Sequence, residues 1–337
     1  MKPKRILKWL LTGILPMVIL FMFHPVFFPL SGCSGPTAEK TTGAGQVSGK
    51  ISISGAFALY PLTVKWAEEF EKIYPEVQID ISAGGAGKGM ADVLSGMVDL
   101  AMFSREVSLV ETNRGAWGIA VAKDAVFPTV NVHNPEYAMI KKMGLTKEQF
   151  RKVFLNDQLS WGIFLGNASI TKLHVYTRSD ACGAAAMWAN FLGLEQENLQ
   201  GTGVYGDPGM ADAVIHDPLG VGYNNLVYLY DLETRKSIAG ISVLPIDFNG
   251  NRIIDPEEDC YESMDEVFRA IVDGRYPSPP GRNLYLVSNG IPESVAISTF
   301  LKYILTEGQS LVATAGYIQL DSAMISLQKT KISSSGL

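Results

Sequence analysis

The sequence predicts an α/β fold: short β-rich runs alternate with amphipathic helical stretches, and the early strands are each followed by a glycine-rich or small polar loop. The chain has 337 residues, 47% hydrophobic and 18% charged, with 33 Gly, 17 Pro and only 3 Cys. That is enough chain for sizeable apolar cores. It excludes disulfide-stapled mini-proteins, collagen-like chains and wholly disordered ones.

Lys50–Ser54 reads as a first strand and Pro61–Tyr74 as a helix, with Leu62, Trp66, Phe70 and Ile73 on one face and Lys65, Glu68, Glu69, Glu71 and Lys72 mostly off it. Val77–Ile81 is a second strand, Gly87–Gly96 a short helix, and Val98–Met102 a third strand. This β-α-β-α-β order builds one lobe of a parallel sheet. Gly55, the run Gly84–Gly89 and Ser104–Arg105 each follow a strand, and the carboxyl ends of such strands are where ligands bind. Three loops therefore converge on one crevice. No internal repeat is visible.

The N-terminus is an address. Lys2, Lys4, Arg5 and Lys8 precede a stretch, Leu10–Leu30, that is apolar apart from Thr12 and His24 and long enough to span a bilayer. It ends in Leu30-Ser31-Gly32-Cys33, which resembles the end of a bacterial lipoprotein signal peptide, whose Cys becomes the lipidated first residue. The alternative is a plain membrane anchor; both place the body outside the cytoplasm, on a membrane. Cys182 and Cys260 remain, and sequence does not say whether they pair.

The formal charge is −6, yet residues 1–32 hold four of the 28 basic residues and none of the 34 acids, so the remainder stands at −10. Such a body is unsuited to nonspecific nucleic-acid binding, which needs a basic surface. A small anion held in one local pocket remains compatible.

A second pattern lies at Asp247-Phe248-Asn249-Gly250-Asn251-Arg252-Ile253-Ile254-Asp255-Pro256-Glu257-Glu258. Asp247, Asn249, Asn251, Asp255 and Glu258 fall at the oxygen-ligand positions of an EF-hand loop, and Ile253 would offer its backbone carbonyl. The chemistry implied is a structural Ca²⁺; the alternative is a polar surface loop. Arg252 stands where such loops usually carry glycine, at a cost on the order of 1 kcal/mol.

Several segments together resemble the phosphate-binding proteins of ABC transporters. Gly55-Ala56-Phe57-Ala58-Leu59-Tyr60-Pro61-Leu62, with Lys65–Phe70 and Tyr74-Pro75, is similar to their opening. Gly84-Gly85-Ala86-Gly87-Lys88-Gly89 is similar to their glycine loop, Val98–Leu100 with Ser104-Arg105 to their third loop, and Arg178-Ser179-Asp180-Ala181-Cys182-Gly183-Ala184 to their Arg-x-Asp-Gly-Ser-Gly-Thr anion loop. Gly220–Tyr223, Gly274–Pro277 and Glu307–Tyr317 follow in the family's order, so the likeness spans residues 51 to 320.

The resemblance implies a two-lobed type II periplasmic-binding-protein fold, with a ligand cleft between lobes joined by a two-strand hinge. It divides the chain into a signal peptide (1–32), a tether (33–49), lobe 1 (50–130), lobe 2 with the calcium-like loop (131–284), a return to lobe 1 (285–325) and a C-terminal tail (326–337). The crossings are expected near Asn131–Asn134 and Leu284–Val287. The implied role is capture of phosphate or a related oxyanion without chemistry, by a membrane-anchored monomer that serves an ABC permease.

The ligand residues carried over are Ala56, Phe57, Ala58, Gly85, Ala86, Gly87, Ser104, Arg105, Arg178, Asp180, Cys182, Gly183 and Ala184. Nearly all the family's pocket hydroxyls are lost, with Ala56-Phe57-Ala58, Ala86, Cys182 and Ala184 in their places. Each neutral hydrogen bond is worth about 0.5–1.5 kcal/mol, so losing several would weaken phosphate by roughly two to four orders of magnitude. Charge and backbone N–H groups remain, and both attract anions. The pocket therefore holds phosphate weakly through charge and backbone, takes a different and less hydroxyl-dependent ligand, or binds nothing small. The alternative function is a non-transport surface lipoprotein, a sensor or interaction module reusing the fold. Arg105 and Arg178 also read as salt-bridge partners. Cys182 reads as a buried small side chain rather than a nucleophile, and the chain lacks recognised hydrolase motifs.

Overall fold

The computed structural model describes residues 47–156 and 158–333, which belong to one compact unit. Cys33, the preceding apolar stretch and the tether up to residue 46 lie outside the described residues, while Gly49, placed in the tether from sequence, begins β1.

The first lobe opens as the alternation requires: β1 (Gly49–Gly55), α1 (Tyr60–Ile73), β2 (Val77–Ala83), α2 (Ala86–Leu94) and β3 (Leu100–Phe103). Both β2 and β3 flank β1 in parallel. Pro61 stands at the start of α1, where its missing N–H costs nothing. Leu62, Trp66 and Phe70 are buried there as the periodicity demands, but Ile73 is half exposed, because the last turn runs past the core. Thr63 and Ala67 complete the buried face instead.

After α3 (Leu109–Asn113) comes β4 (Ala116–Asn131), 16 residues long and the longest strand. Lobe 2 follows as α4 (Tyr137–Met143), α5 (Lys147–Leu155), α6 (Trp161–Leu165), β5 (His174–Arg178), α7 (Gly183–Leu192), β6 (Thr202–Val204), α8 (Gly206–His216), β7 (Gly220–Asn225), β8 (Ile241–Val243) and α9 (Met264–Val272). The chain returns through β9 (Gly281–Asn289), α10 (Val295–Ile304) and α11 (Ser322–Ser333). Strand order is β2-β1-β3-β9-β4-β7-β5-β6, with β8 against β4.

Two separate cores show where the lobes meet. One gathers Trp66, Phe70, Phe103, Ala122, Leu284 and Phe300; the other gathers Ala125, Phe127, Phe150, Trp188, Tyr223 and Tyr276. Up to Ala125, β4 pairs antiparallel with β9; from Val126 it pairs with β7. The outward crossing therefore lies inside β4, ahead of Asn131–Asn134, and the return lies just ahead of Leu284. Asn131 instead ends β4, donating from Nδ2 to the Val214 and Ile215 carbonyls, both at 2.8 Å. Residues 322–333 are helical, and Gln328 and Ile332 are buried, so the described part of the C-terminal segment is tied to the first lobe at these two positions.

Trp188 is the centre of the second core, with Phe150, Phe154 and Phe191 at ring-centroid distances of 5.3, 5.8 and 5.3 Å. Trp188→Ala is expected to cost about 3–5 kcal/mol in urea unfolding followed by circular dichroism. Trp188→Phe should cost much less, since the Trp188 Nε1–H has no hydrogen-bond partner.

Candidate functional site

Arg178 ends β5 and its side chain is 1% exposed. Its Nε and Nη2 donate to both oxygens of Asp180 at 2.8 and 2.6 Å. Its Nη1 lies 3.0 Å from Asp207 Oδ1, in the first turn of α8, as an ion pair without an aligned hydrogen bond. Asn225 at the end of β7 donates to Asp207 and accepts from Arg282, whose Nη2 also meets Asp124 at 3.1 Å. Asp124 and Arg282 face each other in register where β4 and β9 cross between the lobes. A continuous buried polar chain thus links the end of β5 to the hinge.

Three helix N-termini point at this cluster. Gly206 at the start of α8 donates its N–H to Asp180 Oδ1 at 3.2 Å. Cys182 caps α7, its Sγ accepting from the Ala185 N–H at 3.4 Å. Gly85 precedes α2, and a Cβ added there would stand 2.8 Å from Asp180 Oδ2. The helix N-termini and the guanidinium each favour negative charge, and the acids of the chain itself supply it here.

The cluster holds two cations, Arg178 and Arg282, against three carboxylates, Asp124, Asp180 and Asp207. Burial raises the pKa of both Asp124 and Asp207, partly offset by the nearby arginines. Desolvation disfavours the charged carboxylate in each case, and a neighbouring carboxylate adds a smaller push in the same direction. Burial likewise pushes the Cys182 thiol up to about 12, with Arg178 opposing. Cys182 and Cys260 are both free and buried, so they form no disulfide.

The first-lobe loops close on this cluster. The Gly87 N–H donates to the Ala181 carbonyl at 3.1 Å, and Ala56 donates to Met102 at 2.8 Å. The Phe57 ring packs edge-on to Tyr205 at 5.7 Å, and its carbonyl accepts from Tyr228 Oη at 3.0 Å. The Ala58 carbonyl accepts from Tyr317 Oη at 2.8 Å. Gly183 meets Ser104 so closely that a Cβ would stand 2.2 Å from the Ser104 carbonyl oxygen, so glycine is required there. Ala86 and Ala184 are buried beside them.

Arg105 does not join this cluster. It makes a two-pronged pair with Glu111 at 2.9 and 2.7 Å and lies 4.5 Å over the Phe103 ring. Its salt-bridge reading is the one the geometry favours. Asp207, Asn225, Arg282 and Asp124 were not singled out from sequence. Asp124 carried a signal, as a lone acid in the apolar run of β4; Asp207 carried none, because its partner arginine is 29 residues away by number.

The 247–258 loop is closed by hydrogen bonds among its own side chains and backbone. Asp247 accepts from the Gly250 and Arg252 N–H groups at 2.7 and 3.0 Å. Glu258 Oε1 accepts from the N–H groups of Phe248 and Asn249 at 2.8 and 3.2 Å. Asn249 and Asn251 both donate to Asp255 Oδ2 at 2.8 Å. Arg252 takes the left-handed φ of 68° normally given to glycine, and its guanidinium is tied to the Leu165 carbonyl at 2.9 Å. Among the described residues no three His, Cys, Asp or Glu side chains group as a metal cage, so any cation here would lean on the two amides and the Ile253 carbonyl.

A family model described as a PBP superfamily domain matches residues 40–307. The phosphate-binding protein PstS of Methanocaldococcus jannaschii is 26% identical over 356 aligned residues, covering 88% of this chain and 90% of its own. The PstS of Pseudomonas aeruginosa is 27% identical over 312, covering 85% and 86%. A crystal structure described as a phosphate ABC transporter substrate-binding protein with bound phosphate, from Clostridium perfringens, matches with a TM-score of 0.65 at 21% identity, covering 81% of this chain and 100% of that one. The structural likeness carries the fold, a type II periplasmic-binding-protein fold, and the sequence match carries the membership: the chain belongs to the PBP superfamily, with phosphate-binding proteins of ABC transporters among its relatives.

Proposed function

We propose that this chain is an extracytoplasmic solute-binding protein of a phosphate-type ABC transporter, anchored through lipidated Cys33, that takes a small oxyanion between its lobes without chemistry. The observation that carries the reading is the convergence of Arg178 with the N-termini of α2, α7 and α8. Backbone N–H groups and a guanidinium form an anion site that does not depend on the missing hydroxyls. Among the described residues no helix is long and apolar enough to cross a membrane. The partner would be a permease, and the receptor a monomer.

A second reading has its own support. Every nitrogen of the Arg178 guanidinium faces a carboxylate of the chain itself, and Phe57 adds a large ring beside the start of α8, against Tyr205. A sensor or interaction lipoprotein that reuses the fold would tolerate such a pocket. The 247–258 loop is proposed as a structural Ca²⁺ site that pins lobe 2, supported by its oxygen spacing and by Arg252 in the left-handed region.

Equilibrium dialysis of the full chain in detergent micelles against radiolabelled phosphate should give saturable binding at low salt. Cys182→Ser, which restores a hydroxyl at the α7 N-cap, should tighten it severalfold. No binding at millimolar phosphate by either protein would end the transport reading in favour of the second. Iodoacetamide at pH 8 should leave Cys182 unmodified in peptide mapping until the protein is unfolded, because a buried thiol with its pKa near 12 holds almost no thiolate. Added Ca²⁺ should raise the melting temperature above that in chelator; equal midpoints would contradict the metal site.

A further inference from the structure

We propose that Asp207 is a built-in occupant of the anion site, a tethered carboxylate that competes with any incoming oxyanion for Arg178 and sets the specificity of the cleft. The inference rests on the oxyanion-receptor reading of that same site. Three observations carry it.

The first is position. Asp207 approaches Nη1, the one nitrogen of the Arg178 head that Asp180 leaves over. Asp180 is two residues from Arg178 along the chain and forms a local two-pronged pair. Asp207 comes from another element, the first turn of α8, where a free anion would also be drawn.

The second is anchorage. The Asp207 side chain accepts from Asn225 Nδ2, and its carbonyl accepts from Asn224 Nδ2 at 3.3 Å. The residue is 3% exposed. An incoming anion must therefore displace a carboxylate that β7 holds in place, rather than one free to swing into water.

The third is charge. With Asp180 and Asp207 both beside Arg178, the local sum is already negative before a ligand arrives. A bound oxyanion would add like charge in a buried setting, which is costly without a further cation. The lost hydroxyls follow from the same logic. A cleft whose anion is covalently part of the chain does not need Ser and Thr donors at Ala56, Ala86 and Ala184.

The test compares the full-length wild type with Asp207→Asn in titration calorimetry against sodium phosphate at low salt. Asparagine keeps one acceptor oxygen for Asn225, removes the charge and puts an amide NH2 group where the second carboxylate oxygen stood. The variant is expected to bind phosphate about tenfold or more tightly than wild type, the scale of one charge-assisted contact. Asp207→Ser is measured alongside, with circular dichroism confirming that each variant is folded, so that loss of fold is not read as loss of binding. Wild type that binds at micromolar levels, with folded variants no tighter, would overturn the inference and leave the receptor reading standing. Folded variants and wild type that all fail to bind at millimolar phosphate would overturn both.

Discussion

The interaction on which the rest depends is the buried chain of charges from Arg178 through Asp207, Asn225 and Arg282 to Asp124. Its members come from β5, α8, β7, β9 and β4, so it forms only when both lobes and both crossing strands are in place. Buried ions are expensive to desolvate, and removing one partner of such a pair typically costs about 3–5 kcal/mol. The cluster therefore acts as a condition on the fold: the junction of the lobes is correct only where these groups meet. Several polar atoms in it, including Asp124 Oδ1 and Arg282 Nε, lack a hydrogen-bond partner. Unmet polar groups at the centre of a cleft are a common mark of a site with a task beyond stability.

Around that cluster the chain makes room with small residues. Gly85 and Gly183 allow the loops of opposite lobes to approach, and Ala86 and Ala184 are buried beside them. Phe57 then caps the junction from the first lobe, against Tyr205 and the start of α8. The junction thus holds charged groups and helix ends rather than hydroxyls. On the proposed reading, one carboxylate more or less would change what such a site accepts.

Much of this was legible in the amino-acid order. Strand and helix alternation from Lys50 to Met102 follows from hydrophobic period, and the element ends moved by only a few residues. Gly55, the run Gly84–Gly89 and Ser104 read as neighbours because strand ends in an α/β sheet share an edge, whereas the Arg178–Ala184 loop joins them only through the family resemblance. Arg105 misled, since an arginine beside a predicted ligand loop looks the same in sequence whether it faces a ligand or Glu111. The outward crossing lies a few residues ahead of Asn131–Asn134, because it is set by the change of partner strand at Val126, which is a tertiary event. Asp207 and Arg282 were invisible for a similar reason: their meaning lies in pairs that join distant elements.

The central claim is that the oxyanion site is the Arg178 cluster between the lobes. It is tested most directly by phosphate titration of ¹⁵N-labelled full-length protein, following the Arg178 Nε–H and the backbone amides of Gly87, Gly183 and Gly206. The account predicts that these signals shift together and saturate while those of the 247–258 loop stay still. Saturable shifts elsewhere, with the Arg178 signals unmoved, would contradict it.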